Sequence, residues 1–374
     1  KGEKIMLWNE WYENGTKKSE MNYESGANIE WYMNGQKLME GFHENKKRIG
    51  EWKFWYEDGQ LRSIINFKEG LKEGLQTNWY PDGTKESEIN FSENKKHGKA
   101  IWYLEDGKID MEGEFDMEIQ HGKWTYWRTD GQKGNEGFYI NGKMNGHWIW
   151  WYGNGEIWKE GDYNDGIRNG HWIVYFENNE KFHEGDFKNG RESGLWTSWY
   201  ENGNKKMEGE FSDGIMTGKW TGWFENGNKQ FEVMYKDGMK EGLCIYYHEN
   251  GNKRREETLL NQLLHGPYIT YSNEGKPVIV GNYFEGKKHG EWKYYNDREF
   301  QTRQEFYVND FEDGQWLSWY KEGTLQSEHN YKNGRKHGKV KLLEVNGDII
   351  YEAVYKNDKL VKVITDSTKD DEIK

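Results

Sequence analysis

The chain has 374 residues and a net charge of −13, with 34% hydrophobic and 17% aromatic residues, 46 glycines and three prolines. This acidic balance argues against nucleic acid and anionic membranes as partners, because both require cationic stripes. No apolar run approaches the ~18 residues of a spanning helix, and the single cysteine, Cys244, excludes an intramolecular disulfide and a cysteine-based metal site.

Low hydrophobicity is typical of disordered chains, but such chains are poor in aromatic residues. Here 21 Trp and 25 Tyr are available, and each such ring can remove ~150–250 Å² from water. We therefore expect an ordered protein with a thin aromatic core.

Glycine recurs every 24 residues from Gly50 to Gly338 without a miss. A second glycine column, nine residues later, fails only at Asn179 and Glu299. Asn tolerates positive φ, so Asn179 fits the same turn, whereas Glu299 predicts a different one. Near the N-terminus the step from Gly15 to Gly35 is only 20 residues, which predicts a shortened first repeat.

Positions are numbered 1 to 24 from the first glycine of each repeat. Position 3 is usually Trp, position 6 Trp or Tyr, position 15 Glu and position 18 Phe or Tyr. Each repeat thus has two short aromatic runs that end in Asn-Gly or Asp-Gly, the strongest local signal for a β-hairpin. Glycines and β-forming residues at this spacing disfavour a helix.

A two-residue turn at positions 9 and 10 would place position 7 opposite 12, 5 opposite 14, 3 opposite 16 and 1 opposite 18. Position 16 is often Gly, so the Trp of position 3 would lie opposite bare backbone and could rest flat on it. Because side chains alternate along a strand, the aromatic residue at position 6 belongs to the other face.

The predicted fold is all-β: an elongated single-layer antiparallel β-meander solenoid of about fourteen 24-residue hairpin repeats. Successive repeats would advance by ~10 Å and contact mainly their neighbours. The repeat array is predicted over residues 1–362, with 1–25 and 338–362 as atypical caps. A charged C-terminal tail follows over 363–374.

The segments "FKNGRESGLWTSWYENG" (187–203) and "YKNGRKHGK" (331–339) resemble the MORN repeat. The longer pattern W-x-x-W-Y-E-N-G-x-K-x-x-E-G-x-Y is similar to the bacterial MORN variant known as YwqK-type, which carries a toxin–antitoxin antitoxin label. The resemblance covers roughly residues 5–360. It implies a scaffold for protein–protein contacts or a membrane-associated scaffold, and it supplies no catalytic residues.

Two repeated positions, one of histidine and one of glutamate, could suggest metal binding or catalysis. His97, His121, His265, His289 and His337 precede the repeat glycine, but equivalent positions ~10 Å apart cannot share one metal ion. The same spacing separates the Glu residues of position 15, so we expect each to pair with a neighbour, as Glu208 with Thr197, and not to form a catalytic pair. We expect no enzymatic activity, no metal and no cofactor.

The first functional hypothesis is a non-catalytic scaffold that binds a protein partner along an extended aromatic and acidic sheet surface. Five position-6 residues are the candidate partner-binding residues: Trp127, Trp151, Trp199, Trp223 and Trp319. The alternatives are an antitoxin or immunity protein that occludes a basic toxin, and a cell-surface module that binds glycan or choline.

Sheet edges also permit a homo-oligomer or end-to-end assembly. The chain begins at Lys1 and not at methionine, which is compatible with a removed leader. The compartment therefore stays open between the cytoplasm and the cell envelope or secretion.

Overall fold

The structure, a computed structural model, describes residues 7–22 and 24–367. Within these residues every regular element is a β-strand, 33 in number, and no helix suited to crossing a membrane occurs in them. The chain divides into two compact units. The first comprises residues 1–181 and 186–191, the second residues 182–185 and 192–374.

The first unit contains fifteen complete strands and shares β16 with the second. They are β1 (Trp8–Trp11), β2 (Lys17–Met21), β3 (Ser25–Trp31), β4 (Lys37–Glu44), β5 (Lys47–Trp55), β6 (Leu61–Lys68), β7 (Leu71–Trp79), β8 (Lys85–Ser92), β9 (Lys95–Tyr103), β10 (Ile109–Asp116), β11 (Ile119–Trp127), β12 (Lys133–Ile140), β13 (Lys143–Trp151), β14 (Ile157–Asn164), β15 (Ile167–Tyr175) and β16 (Lys181–Lys188).

The second unit contains β17, except for its first residue Arg191, and β18 to β33. They are β17 (Arg191–Trp199), β18 (Lys205–Ser212), β19 (Ile215–Trp223), β20 (Lys229–Lys236), β21 (Met239–Tyr247), β22 (Lys253–Leu260), β23 (Leu263–Tyr271), β24 (Pro277–Phe284), β25 (Lys287–Lys288), β26 (Gly290–Tyr295), β27 (Gln301–Val308), β28 (Phe311–Glu312), β29 (Gly314–Trp319), β30 (Leu325–Lys332), β31 (Arg335–Leu343), β32 (Ile349–Lys356) and β33 (Lys359–Asp366).

Within each unit, strands that follow one another in the chain pair antiparallel, as β13 with β14 and β18 with β19. In the second unit β24 pairs with both β25 and β26, because the strand is interrupted at His289 before the repeat glycine. The prediction of an all-β meander of hairpin repeats is confirmed.

The turn at positions 7 to 11 differs from the predicted two-residue turn. In the second unit the Tyr200 N–H donates to the Asn204 carbonyl at 2.9 Å, and the Gly203 N–H donates to the Tyr200 carbonyl at 3.0 Å. Three residues thus connect the strands, with Gly203 at φ 83°. The predicted pairs of positions 1 with 18, 3 with 16 and 5 with 14 are confirmed, but position 12 pairs with position 6 and not with position 7.

The prediction of a different turn at Glu299 is wrong. Glu299 takes φ 65° and donates its N–H to the Asn296 carbonyl at 3.0 Å, as glycine does in the other turns. The Asn296 Oδ1 accepts the N–H groups of Arg298 and Phe300, each at 3.0 Å. These bonds hold a non-glycine residue in a left-handed conformation that costs ~1–3 kcal/mol.

The second turn, at positions 20 and 21, is the two-residue hairpin that Asn-Gly and Asp-Gly favour. Asp213 and Gly214 have φ of 54° and 80°, and Ser212 pairs with Ile215 across them. Two successive positive φ values define a type I′ turn, whose twist suits adjoining strands.

The core is a row of position-3 tryptophans on one face of the sheet, which we call the tryptophan face. It carries positions 3, 5, 14, 16, 18 and 23. Trp220 is 2% exposed and meets Phe211 edge to face at 5.0 Å between ring centroids. Its Nε1–H donates to the Glu210 carbonyl at 3.3 Å. Equivalent buried rings are Trp52, Trp124, Trp148, Trp172 and Trp292.

Each of these rings covers a glycine, but not the one predicted. Gly209 pairs in register with Trp196 of its own hairpin, whereas the ring that rests on it is Trp220 of the next repeat. A Cβ atom at Gly209 would lie 2.1 Å from Trp220 Cδ2. Gly137 and Trp148 stand in the same relation in the first unit. Space, and not φ, therefore selects glycine at position 16.

Each position-3 side chain thus packs over the residue eleven positions earlier. In most repeats, a large side chain at one of these two positions goes with a small one at the other. Seven pairs combine Gly with Trp: 41/52, 113/124, 137/148, 161/172, 185/196, 209/220 and 281/292. In four pairs a larger first residue goes with a side chain smaller than Trp: 65/76 (Ile, Gln), 89/100 (Ile, Ala), 233/244 (Val, Cys) and 329/340 (His, Val). Two pairs depart from this exchange and keep a large ring beside glutamate: 257/268 (Glu, Tyr) and 305/316 (Glu, Trp).

Side chains of the Tyr-Glu-Asn-Gly turn bind the following repeat. Tyr200 Oη donates to the Trp223 carbonyl at 2.8 Å, and Asn202 Nδ2 donates to the Glu225 carbonyl at 3.1 Å. In the first unit Tyr152 donates to the Tyr175 carbonyl at 2.7 Å. The turn motif therefore closes its own hairpin and holds the next one.

The predicted C-terminal boundary falls inside a strand. β33 runs to Asp366, so residues 363–366 of the predicted tail pair with β32. Residues 368–374 of that tail, and residues 1–6 and 23 of the predicted N-terminal cap, lie outside the described residues.

Candidate functional site

The opposite side of the sheet, which we call the glutamate face, carries positions 2, 4, 6, 12, 15, 17 and 22. Thr197 pairs with Glu208 and Trp199 pairs with Lys205, so these four side chains share that face. The predicted separation of the position-3 and position-6 aromatic residues onto opposite faces is confirmed.

The position-15 glutamates are bound from several sides. Thr197 Oγ1 donates to Glu208 Oε2 at 3.3 Å, which is the predicted contact. A lysine three residues earlier forms an ion pair with most of these carboxylates, with Nζ–O distances of 2.6 Å for Lys37–Glu40, 2.6 Å for Lys85–Glu88, 2.7 Å for Lys133–Glu136 and 2.8 Å for Lys229–Glu232.

Where position 6 is tyrosine and the preceding repeat has Glu at position 15, the hydroxyl donates to that Glu, as Tyr247 Oη does to Glu232 Oε2 at 2.6 Å. Burial opposes ionisation of Glu232, but hydrogen bonds from Lys219, Lys229 and Tyr247 outweigh it and lower the pKa of Glu232 to about 2. A carboxylate held in the charged form by these donors is a structural group and is a poor proton carrier at neutral pH.

The five predicted tryptophans occupy equivalent, half-buried places on this face. In the first unit Trp127 ends β11 and Trp151 ends β13; in the second, Trp199, Trp223 and Trp319 end β17, β19 and β29.

Lysine ammonium groups already lie over some of these rings. Lys133 Nζ is 5.5 Å from the Trp151 centroid and Lys205 Nζ is 5.8 Å from the Trp223 centroid. Within the described residues no lysine lies over Trp127 or Trp319. In both cases position 12 of the preceding repeat is not lysine. Trp127 instead lines a shallow groove of about 300 Å³.

Ion pairs border that groove on both sides. Lys99 Nζ lies 3.3 Å from Glu112, and Lys123 Nζ lies 3.2 Å from Glu136. The groove therefore offers an aromatic surface between alternating charges, which is chemistry suited to a polypeptide contact.

Sequence reasoning missed a second set of apolar residues on this face. Leu195 and Leu243 at position 2 are 56% and 50% exposed, and Ile215 at position 22 is 49% exposed. The signal was present, because position 22 alternates between lysine or arginine and a large apolar residue over most of the array.

The predicted histidine column lies next to turns. His289 Nδ1 is 3.3 Å from Asn309 Oδ1, and His337 Nδ1 is 3.3 Å from Asn357 Oδ1. Across residues 7–22 and 24–367, no three His, Cys, Asp or Glu side chains are arranged to hold a metal ion.

Acidic side chains are concentrated at the turns of positions 8 to 11. The eight turns of the first unit, from 13–16 to 177–180, carry ten acidic residues and one basic residue, a net charge of −9. The seven turns of the second unit, from 201–204 to 345–348, carry eight acidic and three basic residues, a net charge of −5. These turns therefore account for a charge of −14 against −13 for the whole chain.

Hairpins of one pattern, joined to their neighbours by the same side-chain bonds, define a β-hairpin repeat protein. The model of the MORN repeat variant matches nine segments: 6–25, 48–69, 72–93, 96–117, 144–165, 192–213, 216–237, 240–261 and 312–333. These cover more than half of the chain, which therefore belongs to the MORN repeat variant family.

No curated protein matches the sequence significantly. Among solved structures, the crystal structure of TcdB2-TccC3-Cdc42 is similar at 10% identity and a TM-score of 0.14, over 96% of this chain and 18% of that one. A Photorhabdus luminescens Tc holotoxin pore (TccC3-D651A) is similar at 8% identity and a TM-score of 0.16, over 94% and 26%. The chain spans about a quarter or less of these proteins, and at such TM-scores neither likeness bears on function.

Proposed function

We propose that the chain is a non-catalytic scaffold whose glutamate face binds a protein partner. The observation that carries this proposal is the exposure of Leu195 and Leu243 on the same face as the half-buried Trp199 and Trp223. Most position-3 tryptophans of the tryptophan face are buried, whereas positions 2 and 22 of the glutamate face leave apolar area open that a partner can cover.

The five tryptophans are not equal as anchors. Trp151 and Trp223 already have one ring face covered by lysine, so a partner has to displace that contact, worth ~0.5–1 kcal/mol at exposed sites. Trp127 and Trp319 have no such cover among the described residues, and we propose that they are the stronger contacts of their respective units.

The test is affinity capture from cells of the source organism with wild-type protein and the Leu195→Ser/Leu243→Ser variant. Phe300→Ser is the matched control, because Phe300 is 49% exposed but lies in a turn. We expect a specific protein to be captured by the wild type and the control and lost from the double variant. Equal capture by all three proteins would refute the assignment to this face.

An antitoxin or immunity function is the second candidate, favoured by the acidic turns. Consecutive turns are ~10 Å apart, slightly more than the ~8 Å Debye length of physiological salt, so neighbouring turns are largely screened from one another. A partner that spans several turns still collects one charge contact from each. A basic toxin is a suitable partner for such a row, because complementary charge speeds association and restrains the orientation of the partner.

Charge neutralisation tests this second candidate. Glu201→Gln/Glu225→Gln/Glu249→Gln removes three charges from the acidic turns of the second unit, and Asp213→Asn/Asp237→Asn/Glu285→Gln removes three from its type I′ turns. A fluorescent oligolysine peptide should bind the first variant more weakly and with a shallower salt dependence than it binds the second. Rescue of growth from a toxin encoded beside this gene should follow the same order, and absence of rescue by wild type would eliminate the candidate.

A further inference from the structure

One repeat, residues 74–97, departs from the aromatic pattern of the tryptophan face. Among the thirteen repeats that begin at Gly50 to Gly338, it alone has amides at both positions 3 and 5, Gln76 and Asn78. On the adjacent strand these residues pair with Ile65 and Ser63. Because the usual indole and its neighbouring ring are both missing, an open depression of about 360 Å³, which we call the cavity, lies on this face.

Two unpaired side chains of opposite charge line the cavity, Arg62 and Glu86. Neither makes an ion pair in the part of the chain that the structure describes. The guanidinium carbon of Arg62 is 5.9 Å from the Phe54 ring centroid. Burial raises the pKa of Tyr56, the Glu86 charge raises it further and Arg62 opposes both, so the two charged groups lie near one hydroxyl. A ligand with one charge of each sign would complement them.

Polar groups form the floor of the cavity. Lys72 Nζ donates to Gln76 Oε1 at 2.9 Å, Gln76 Nε2 donates to Asn78 Oδ1 at 3.0 Å, and Asn78 Nδ2 donates to Ser87 Oγ at 2.8 Å. Each amide nitrogen keeps a second N–H for a ligand. Ser63, 6% exposed, lines the same cavity, and its hydroxyl has no hydrogen-bond partner.

Apolar walls complete the site. Phe54 and Ile65 border it with Tyr56, whose hydroxyl is engaged with the Trp79 carbonyl at 2.8 Å and so holds its ring in place. The volume lies at the lower end of the ~300–1,000 Å³ typical of small-molecule sites.

We propose that this cavity binds a free α-amino acid with an apolar side chain. Its carboxylate would pair with Arg62, its ammonium group with Glu86, and its side chain would rest on Phe54 and Ile65. The site lies on the tryptophan face and is therefore independent of the partner surface on the glutamate face.

Isothermal titration with L-leucine tests the proposal. Three comparators separate its parts: N-acetyl-L-leucine amide lacks both charges, isoamylamine keeps the cation, and 4-methylpentanoate keeps the anion. We expect leucine to bind at least about tenfold more tightly than each comparator, since each loses a charge-assisted hydrogen bond. No heat with leucine, equal binding of the uncharged amide, or tighter binding of methyl glucoside would overturn the proposal.

Single substitutions assign the charged contacts. Arg62→Gln and Glu86→Gln should each weaken leucine binding about tenfold. Arg254→Gln is the matched control, because Arg254 occupies position 13 of another repeat, as Arg62 does, and is exposed. Equal loss in the control, or no loss in either cavity variant, would contradict the assignment.

A filled cavity gives the decisive comparison. Ile65→Gly/Gln76→Trp restores the glycine–tryptophan pair found at Gly41 and Trp52, so it should fold and place an indole in the cavity. We expect unchanged circular dichroism, a melting temperature no lower than that of wild type, and no detectable leucine binding. A folded variant that still binds leucine as the wild type does would refute the site.

Discussion

The eleven-residue pairing of glycine and tryptophan predicts a strong coupling between Gly209 and Trp220. The backbone of Gly209 is not in the left-handed region, so a side chain there is opposed only by the ring. A Cβ would lie 2.1 Å from Cδ2 and 2.3 Å from Cε2 of Trp220. Ordinary contact begins near 3.4 Å, so Gly209→Val must move the indole by more than about 1 Å.

The cost follows from the contacts that the ring would lose. Trp220 packs against Phe211 and Tyr235 and donates to the Glu210 carbonyl. Overpacking costs ~1–3 kcal/mol, and removal of the ring in Trp220→Cys costs ~3–5 kcal/mol. Independent effects would sum to about 6 kcal/mol. The double variant recreates the natural Val233–Cys244 pair, so we expect it to cost only about 3 kcal/mol.

Amide hydrogen exchange of β18 and β19 measures these costs as local opening free energies. Gly227→Ala provides the control: Gly227 has φ 88° and open space around its Cβ position, so the substitution should cost ~1–2 kcal/mol whether residue 220 is Trp or Cys. The predicted coupling would be refuted if the double variant at 209 and 220 lost as much local opening free energy as the two single variants lose together.

Three further predictions concern single side chains. Glu299→Gly should raise the unfolding free energy by about 1 kcal/mol, since it relieves a left-handed glutamate, and a lowered thermal midpoint would contradict this. Asn226→Asp should destabilise by about 1 kcal/mol in urea unfolding, because a carboxylate cannot donate to the Glu249 carbonyl 2.9 Å away; an unchanged midpoint would count against the inter-repeat bond. Glu232→Gln should lose stability at neutral pH: the folded pKa of about 2 lies below the usual ~4.3, so the wild-type advantage is complete above about pH 4.5 and shrinks as pH falls toward 2. A constant difference across that range would argue against the charged contacts.

The sequence predicted the hairpin repeat because its signals are local. Asn-Gly and Asp-Gly dipeptides fix the turns, and the side-chain alternation of a strand assigns Trp196 and Trp199 to opposite faces. The contact between Thr197 and Glu208 followed from the same register and is present at 3.3 Å.

The errors arose where two connections of similar composition have different geometry. Asn202-Gly203 and Asp213-Gly214 look alike in sequence, yet the first belongs to a three-residue connection and the second to a two-residue type I′ turn. In the first connection Tyr200 and Asn202 also donate to the next repeat, a contact that a single-hairpin argument does not contain. For the same reason, the ring that covers Gly209 could not be predicted from one hairpin, because that ring belongs to the following hairpin.

The regular columns of this array serve the array itself. Trp at position 3 fills the space over glycine, Tyr at position 7 and Asn at position 9 hold the next repeat, and Lys at position 12 with Glu at position 15 surrounds the position-6 ring. Such groups repeat along the chain and cannot by themselves tell a partner where to start. Register must come from positions that vary, as position 2 does from Leu195 through Lys219 to Leu243. A partner that gains affinity from the repeated tryptophans would therefore gain its alignment from the variable residues beside them, because a shift by one repeat would bring its apolar groups onto Lys219 and leave them without apolar contact.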